Sequence, residues 1–458
     1  MVKKDKLFFG ALCAMTLGVM LILLFSHTYN DIVITTRHGI NFWTILKNGD
    51  ILQFYQLNEV ASGNAVYDMV QGCAYNILVY LVFAVWNIPL ALLEVFTNLD
   101  IMNNVFCLAY AKLLPVAAMA VSAVVVRKIL ILLKVPEDKL WFFLYLYLSS
   151  TLMISVVFVM SQYDILSVVC QLLGVQAFLE KKDKKFIFWF GIAFCFKYFS
   201  LILFLPLLLL RYKKIFAWIG SLLGMLVPFI VTNIPFLLTA SDLGKELTES
   251  LFGSLLQYSG ENYNLFIILY MIAIVWCYFR PWEDGSQTDR ENAVWVSFAA
   301  YAAFFGLLNA YPYWSIMMAP FLVFVMALSF DKLYINLLLE TFGLAALAVG
   351  NMCKNGHCFF GDTMKSMMMS HIVSEDALNY VGSLIHHLMG QLKENFWAFP
   401  VLNSVFIAAM ALLAVISYPR KNSVPGKGMA LSECYDVIFV RFCVTSVVCM
   451  MPVLSLFI

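Results

Sequence analysis

The sequence predicts an all-α polytopic membrane protein, and three observations support this fold class. Hydrophobic residues make up 62% of the 458-residue chain and charged residues only 12%, whereas soluble domains are about half apolar and about a quarter charged. Apolar runs of about 20 residues, the length that a helix needs to cross a bilayer, recur from end to end. Lys and Arg residues cluster between these runs. The composition excludes a soluble globular protein, and we expect no nucleic-acid partner.

The N-terminal segment predicts an uncleaved first span. Lys3, Lys4 and Lys6 precede an apolar run from Leu7 to Phe25, and the small-residue cleavage pattern of a secretory signal does not follow that run. Because cytoplasmic segments carry the excess of positive charge, we expect the N-terminus in the cytoplasm.

The other candidate spans are read from the apolar runs in chain order. They lie at 77–96, 105–126, 140–160, 165–180, 186–210, 214–237, 264–280, 292–310, 313–330, 333–350, 397–418 and 434–457. One crossing for each run would place several basic clusters outside, against the positive-inside rule. The conflict disappears if 77–96 lies in the interface, or dips and returns, and if 186–210 is a pair of short helices that turns near Lys197.

These two changes predict about 13 transmembrane crossings in a multi-pass protein of the cell membrane. Of the 29 Lys and Arg residues, 20 then lie in cytoplasmic segments. The polar outer segments are a first loop at 27–104 with interfacial helices, a flat amphipathic segment at 239–263, and a third loop at 351–396. We divide the chain into a transmembrane region at 1–350 and a C-terminal part at 351–458, which holds an amphipathic outer helix and two spans.

Four ionisable residues are placed at or within the outer half of the membrane. Asp31 follows the first span, Asp164 precedes a span, and Lys112 and Lys197 lie inside spans, where a charge is costly and marks a functional site by default. Each of the four also has a purely structural interpretation. Asp31 can be a solvated loop acid, Asp164 can be a helix N-cap, and the lysines can form buried ion pairs with the two acids.

A second group of candidates concerns metal ligands and thiols in the third outer loop. Cys353, His357 and Cys358 lie within six residues, but they lack a fourth ligand at zinc-site spacing. A Cys353–Cys358 disulfide and two free thiols are the alternatives. His386 and His387 are adjacent on a presumed helix and therefore point in different directions.

The chain resembles the GT-C superfamily of integral-membrane glycosyltransferases, which use polyprenyl-phosphate-linked sugars outside the cytoplasm. The resemblance covers about residues 1–330 and depends on the order of four motifs. These are Asn30-Asp31 at the start of a long outer loop that continues to Asn48-Gly49-Asp50, Ser161-Gln162-Tyr163-Asp164 before a span, Gly191-Ile192-Ala193-Phe194-Cys195-Phe196-Lys197, and Tyr311-Pro312-Tyr313-Trp314. Residues beyond 350 match no pattern of that superfamily.

The resemblance implies a GT-C-like fold, a catalytic region at 1–350 and a role for each site residue. Asp31 would be the general base, and Asp164 would orient the acceptor or, with Asp31, hold a divalent cation. Lys197, together with Arg37 or Lys112, would bind the donor phosphate. Substrate contacts would come from His38, Gln162, Tyr163, Asn262, Tyr311, Tyr313 and Trp314.

The implied reaction moves a hexose-type sugar from a polyprenyl-phosphate donor to a hydroxyl of an unknown glycan, lipid or protein acceptor, on the extracytoplasmic face and among membrane lipids. Two alternatives stay open. One is a lipid or glycan transporter or flippase, although no internal repeat is evident. The other is a glycan polymerase or ligase, which would share a site on the outer face. A nucleotide-sugar site is not expected, because the chain has no Gly-rich phosphate loop.

Overall fold

The computed structural model describes residues 3–55, 73, 75–97, 99–236, 264–283, 285–308, 310–355, 359, 364–367, 387, 391, 398–420 and 425–454. About 83% of the structure is helical, so the prediction of an all-α polytopic membrane protein is confirmed. The predicted outer segment at 239–263 and most of the third outer loop lie outside the described residues.

The helices and strands are numbered in chain order. They are α1 Lys3–Ser26, β1 His27–Tyr29, α2 Asn30–Lys47, α3 Ile77–Trp86, α4 Ile88–Thr97, α5 Val105–Leu132, α6 Glu137–Leu148, α7 Thr151–Ile154, α8 Ile165–Leu179, α9 Asp183–Phe196, α10 Ser200–Arg211, α11 Ile215–Asn233, α12 Leu265–Phe279, α13 Gln287–Leu307, α14 Ala319–Leu328, α15 Leu333–Lys354, β2 Met364–Ser366, α16 Ala398–Ile416 and α17 Tyr435–Leu454. A π-helical turn, Ser155–Val159, continues α7, and a 3₁₀ segment, Pro312–Met318, precedes α14.

The 13 predicted crossings exceed the number of long apolar helices found among the described residues. Among the described residues, six helices are long and apolar enough to span a bilayer, or up to eight if each of two bent pairs is one span. The predicted 13 crossings are not confirmed. Several predicted spans form apolar helices of 10–17 residues, and at about 1.5 Å per residue these are shorter than a hydrocarbon core of about 30 Å.

The 3₁₀ segment Pro312–Met318 and the short helix α14 are tolerated because protein, not lipid, surrounds them. Every residue from Pro312 to Leu328 is buried. Non-helical backbone at membrane depth is stable when other protein segments cover it. The 3₁₀ turns of Pro312–Met318 can therefore carry functional side chains inside the helix bundle.

The segment 77–96, which is predicted to lie in the interface or to dip and return, is broken at Asn87. Helices α3 and α4 meet at an angle of 59°, and Asn87 lies between them, with its Nδ2 donating to the carbonyl of Phe83. Pro89 in the first turn of α4 has no N–H and so cannot continue the helical ladder. The break fits either a bent span or a segment that dips and returns.

The turn predicted near Lys197 is confirmed. Helix α9 ends at Phe196, Lys197 is extended with φ −152° and ψ 119°, and α10 begins at Ser200. The far ends of the pair meet, because an Nη of Arg211 lies 2.8 Å from an Oδ of Asp183. The chain therefore runs inward along α9 and returns along α10, with Lys197 at the tip.

Gly191 allows α9 to approach α11 closely. A Cβ built at Gly191 would lie 2.6 Å from the carbonyl oxygen of Met225 and 2.9 Å from the Pro228 ring. Backbone cannot yield as a flexible side chain does, so a larger residue would displace α9. This contact explains why a glycine stands six residues before Lys197 in that motif.

A two-stranded sheet joins two segments that are predicted to be outer loops, and sequence reasoning missed it. Strand β1 pairs antiparallel with β2, with Thr28 opposite Lys365. Three-residue strands are too short to show an alternating pattern, and 335 or more residues separate the partners in sequence. The pairing ties the segment after α15 to the start of α2, one residue from Asn30.

A buried ion pair connects the C-terminal spans to the bend between α6 and α7. The guanidinium of Arg441 binds both carboxylate oxygens of Glu340, at 2.7 and 2.9 Å. It also donates to the Ser149 hydroxyl and the Leu146 carbonyl, at 2.8 Å each. Each side chain of the pair is 2% exposed.

We expect Glu340→Gln to destabilise the protein by about 3–5 kcal/mol, because it leaves Arg441 buried without its counter-charge. Replacing both residues, as Glu340→Met with Arg441→Met, should recover most of that loss. Thermal unfolding of the purified protein in one detergent measures both effects. Equal stability of the wild type and the single variant would show that the pair does not hold these helices together.

Candidate functional site

Two residues that are far apart in sequence, Asp31 and Gln162, meet at the centre of the candidate site. Asp31 lies in the first turn of α2, directly after β1. The side-chain amide of Gln162 donates to Oδ2 of Asp31 at 2.7 Å. This hydrogen bond joins the start of α2 to the segment before α8.

A strained turn presents Gln162 to Asp31. Ser161, directly after the π-helical turn, has φ +50°, a left-handed conformation that non-glycine residues rarely adopt. The backbone amide of Gln162 then donates to the carbonyl of Val156 at 2.9 Å. Strained backbone and π-helical turns are frequent at functional sites, so the local geometry supports a functional role for this segment.

Asp164 and Lys197 form a buried ion pair. Nζ of Lys197 lies 3.1 Å from Oδ1 of Asp164, and their side chains are 7% and 0% exposed. Asp164 occupies the N-cap position of α8 but makes no capping hydrogen bond. The predicted N-cap position of Asp164 is therefore confirmed without a capping hydrogen bond, and the ion-pair alternative also describes these two residues.

Three aromatic rings surround the ammonium group of Lys197. Its Nζ lies 4.8 Å from the ring centroid of Tyr75, 5.8 Å from that of Trp314 and 5.9 Å from that of Tyr313. Such contacts stabilise a cation that has lost its water. An ammonium group carries three N–H donors, more than its single contact with Asp164 at 3.1 Å requires.

Tyr75 was not among the predicted site residues. It lies before α3, in the first outer loop, and its ring also packs edge-on against Tyr163 at 5.3 Å. No sequence signal marks it, because one tyrosine just before an apolar segment resembles any interfacial aromatic residue.

The charge state of Asp31 follows from its surroundings. Burial raises the pKa of Asp31 above its ordinary value, and the Gln162 hydrogen bond and the charge of Lys197 offset part of that rise. A carboxylate with a raised pKa is a better proton acceptor than an exposed aspartate. The site therefore contains a half-buried acid next to a buried lysine–acid pair.

The aromatic residues that are predicted to contact substrate divide into two groups. Tyr313 and Trp314 lie beside Lys197, and Tyr311 stacks on Tyr313 with 5.5 Å between ring centroids. Tyr163 points into an apolar cluster with Ile32 and other residues, and its hydroxyl lies 3.5 Å from that of Thr35. Tyr163 therefore positions the loop, and its predicted substrate contact has no support in this geometry.

Arg37 and His38 lie on α2 beyond Asp31, and each contacts a helix of the segment that follows. Arg37 pairs with Glu94 at 2.5 Å, which ties α2 to α4. The ring of His38 packs edge-on against Tyr80, and burial lowers the pKa of His38 to about 4. Its ion pair with Glu94 gives Arg37 a structural role, and the phosphate-binding role predicted for it stays a prediction.

Lys112 has a structural role, which differs from the phosphate binding predicted for it. Its ammonium donates to the carbonyls of Leu23 and His27, at 2.8 and 2.6 Å, and the side chain is fully buried. These carbonyls lie where α1 ends and β1 begins, so Lys112 satisfies backbone groups that the helix has released. The contacts do not place it at the phosphate position.

Four of the remaining predicted candidates cannot be compared with this site. Asn262, His357, Cys358 and His386 lie outside the described residues. Cys353 is a buried free thiol, and His387 is exposed. Within the described ranges, no group of three or more His, Cys, Asp or Glu side chains is arranged to hold a metal ion. A divalent cation between Asp31 and Asp164 stays a prediction.

Comparison with known proteins places the central part of the chain in a family. The sequence model of the EpsG family matches residues 116–349, which is just over half of the chain. The matched range contains Asp164, Lys197 and Trp314 but not Asp31. No curated protein and no solved structure matches the chain. The GT-C mannosyltransferase branch receives no specific support.

Proposed function

We propose that this chain, which belongs to the EpsG family of membrane glycosyltransferase-like and polymerase proteins, transfers a sugar from a polyprenyl-phosphate-linked donor to an acceptor hydroxyl. The observation that carries the proposal is the convergence of Asp31, Asp164 and Lys197 from three separate segments. Buried charges within a membrane protein are costly and are retained at functional sites. A base beside a cation is what displacement of a phosphate leaving group requires.

The proposed reaction is a displacement at the anomeric carbon of the donor sugar. Asp31 accepts the proton of the acceptor hydroxyl while that oxygen forms a bond to the anomeric carbon. The bond from that carbon to the phosphate oxygen breaks, and its electron pair leaves with the polyprenyl phosphate. Gln162 holds the Asp31 carboxylate in place through its hydrogen bond.

Lys197 stabilises the phosphate as its negative charge grows. Asp164 lies on one side of the ammonium group, and three aromatic rings also lie close to it, those of Tyr75, Tyr313 and Trp314. The group is therefore oriented before the reaction, and a preorganised charge in a water-poor site contributes several kcal/mol. Asp164 also orients the acceptor, since its second carboxylate oxygen, Oδ2, is buried and accepts no hydrogen bond from a described side chain.

We place this reaction at the extracytoplasmic face of the cell membrane, with the N-terminus in the cytoplasm. The distribution of Lys and Arg supports that orientation. The return of α9 and α10 to a common end also supports it, because Lys181 to Lys185 and Arg211 to Lys214 flank that end. The donor's lipid tail would stay among membrane lipids while its phosphate reaches Lys197.

A glycan polymerase is the second candidate, and family membership favours it. In that case the donor carries an oligosaccharide on its lipid phosphate, and the acceptor is another lipid-linked glycan. The same three residues would do the same chemistry. The two candidates differ in the length of the product, not in the site.

Transfer by the purified protein in lipid nanodiscs tests the proposal. We expect sugar transfer and release of polyprenyl phosphate with polyprenyl-phosphate-linked hexose or oligosaccharide donors, but not with nucleotide sugars. Single additions indicate a glycosyltransferase, and a ladder of products indicates a polymerase. Movement of intact lipid-linked glycan across vesicle membranes, without any bond cleavage, would instead support a flippase and contradict the proposal.

Lys112→Met separates a catalytic lysine from a structural one. Both Lys112 and Lys197 are buried, but Lys112 donates only to backbone carbonyls among the described residues. Its replacement should lower the melting temperature and leave kcat of the folded fraction within about twofold of the wild-type value. A full loss of activity in Lys112→Met, with Lys197→Met active, would reverse the assignment of the two lysines.

A further inference from the structure

A cleft beside the candidate site is formed by two parts of the chain. One wall comes from the segment before α14, with Tyr311 and Ser315. The other comes from the C-terminal part, with Asn351 on α15 and Phe399 and Asn403 on α16. The family match stops at residue 349, so this second wall belongs to the part of the chain that the family pattern does not cover.

Two stacked aromatic rings lie between the cleft and the proposed phosphate position. Tyr311 stacks on Tyr313 with their ring planes only 13° apart, and Tyr313 is one of the three rings around Lys197. Tyr311 is 44% exposed, whereas Tyr313 and Trp314 are 7% and 5% exposed. A ligand in the cleft would therefore contact the outer ring of a stack whose inner ring borders Lys197.

The polar groups of the cleft suit hydroxyl groups. Nδ2 of Asn403 donates to the carbonyl of Gly306 at 3.1 Å. The amide oxygen of Asn403 accepts no hydrogen bond from a described residue. Asn351 accepts a long hydrogen bond of 3.4 Å from Asn355 through its amide oxygen, and its own amide nitrogen donates to no described residue. Amides offer both donors and acceptors, whereas a cleft for a lipid chain would not need them.

The wall that carries these amides is rigid. A Cβ at Gly343 would lie 2.8 Å from that of Ala409, and one at Gly350 would lie 3.4 Å from that of Leu402, so α15 and α16 pack in close contact. Binding residues on rigid helices hold their geometry better than residues on loops. An apolar and aromatic lining with a few fixed polar groups is typical of small-ligand sites.

We infer that this cleft is a carbohydrate subsite, which holds a sugar ring of the acceptor glycan against Tyr311 and between Asn351 and Asn403. The identity of that glycan as the acceptor rests on the proposed function. Because the second wall lies outside the family match, this subsite selects the acceptor for this protein. The C-terminal helices thereby have a binding role in addition to their structural one.

Saccharide binding to an inactive protein tests the subsite separately from catalysis. Saturation-transfer NMR is recorded on the Asp31→Asn protein in nanodiscs with a panel of di- and trisaccharides of hexoses, N-acetylhexosamines, deoxyhexoses and uronic acids. We expect saturation of the ring protons of at least one saccharide. Tyr311→Ala and Asn403→Ala should each weaken its binding about tenfold or more, as loss of one stacking or amide contact typically does.

Ser404→Ala is the matched control, because Ser404 is exposed, adjacent to Asn403, and hydrogen-bonded to its own helix through the carbonyl of Pro400. It should leave binding unchanged. Absence of binding by the whole panel to folded protein would overturn the subsite, as would equal binding by Tyr311→Ala, Asn403→Ala and the control. Binding without any sugar transfer by the wild type would retain the subsite and overturn the proposed function.

Discussion

Asp31→Asn is expected to lower kcat for sugar transfer by about 10²- to 10⁴-fold, the range that loss of a general base produces. Asparagine keeps the size of the side chain and can still accept the hydrogen bond from Gln162, so the fold of α2 should persist. Initial rates at saturating donor and acceptor measure the effect. Asp50→Asn is the control, because Asp50 also lies in the first outer loop and makes no capping hydrogen bond.

The pH dependence of the rate provides a second readout for Asp31. A general base works only when it is deprotonated, so the rate should rise with pH through the pKa of Asp31. Burial raises that pKa, so the acid limb should lie above the ordinary aspartate value of about 4. The limb should be absent from the residual activity of Asp31→Asn. A wild-type rate that is as fast below pH 4 as at neutral pH would contradict this role.

Lys197→Met is expected to lower kcat by about 10²- to 10³-fold, because the leaving phosphate would lose its preorganised counter-charge. The substitution also leaves Asp164 buried without its partner. The variant is therefore made with Asp164→Asn as well, which removes the unpaired charge and preserves the fold. The rate of polyprenyl phosphate release measures the loss in both variants. Wild-type release rates in folded Lys197→Met would remove Lys197 from the reaction.

Much of the site could be predicted because its residues carry charge where charge is costly. Asp31, Asp164 and Lys197 stand out against apolar runs, and the basic clusters on both sides of 186–210 required a turn at Lys197. The structure places these residues together. The same reasoning did not separate Lys112 from Lys197, because hydropathy does not show whether a buried ammonium faces an acid or two carbonyls.

The missed features depend on contacts between distant parts of the chain. Tyr75 joins the site only through the fold of the first outer loop, and β2 reaches β1 from the far end of the sequence. The 13 crossings are not confirmed, because length and composition do not show whether an apolar helix lies in lipid or, like Ala319–Leu328, is completely covered by protein. A short helix inside a bundle and a span in lipid have the same apolar sequence.

The most direct measurement is a cryo-EM structure of the wild type in nanodiscs with polyprenyl phosphate added. We expect density for the phosphate within about 3 Å of Nζ of Lys197, on the side of the bilayer opposite Lys181 to Lys185, with Asp31 facing the same space. Phosphate density among Lys181 to Lys185, or a position of Asp31 away from Lys197, would contradict the proposed site.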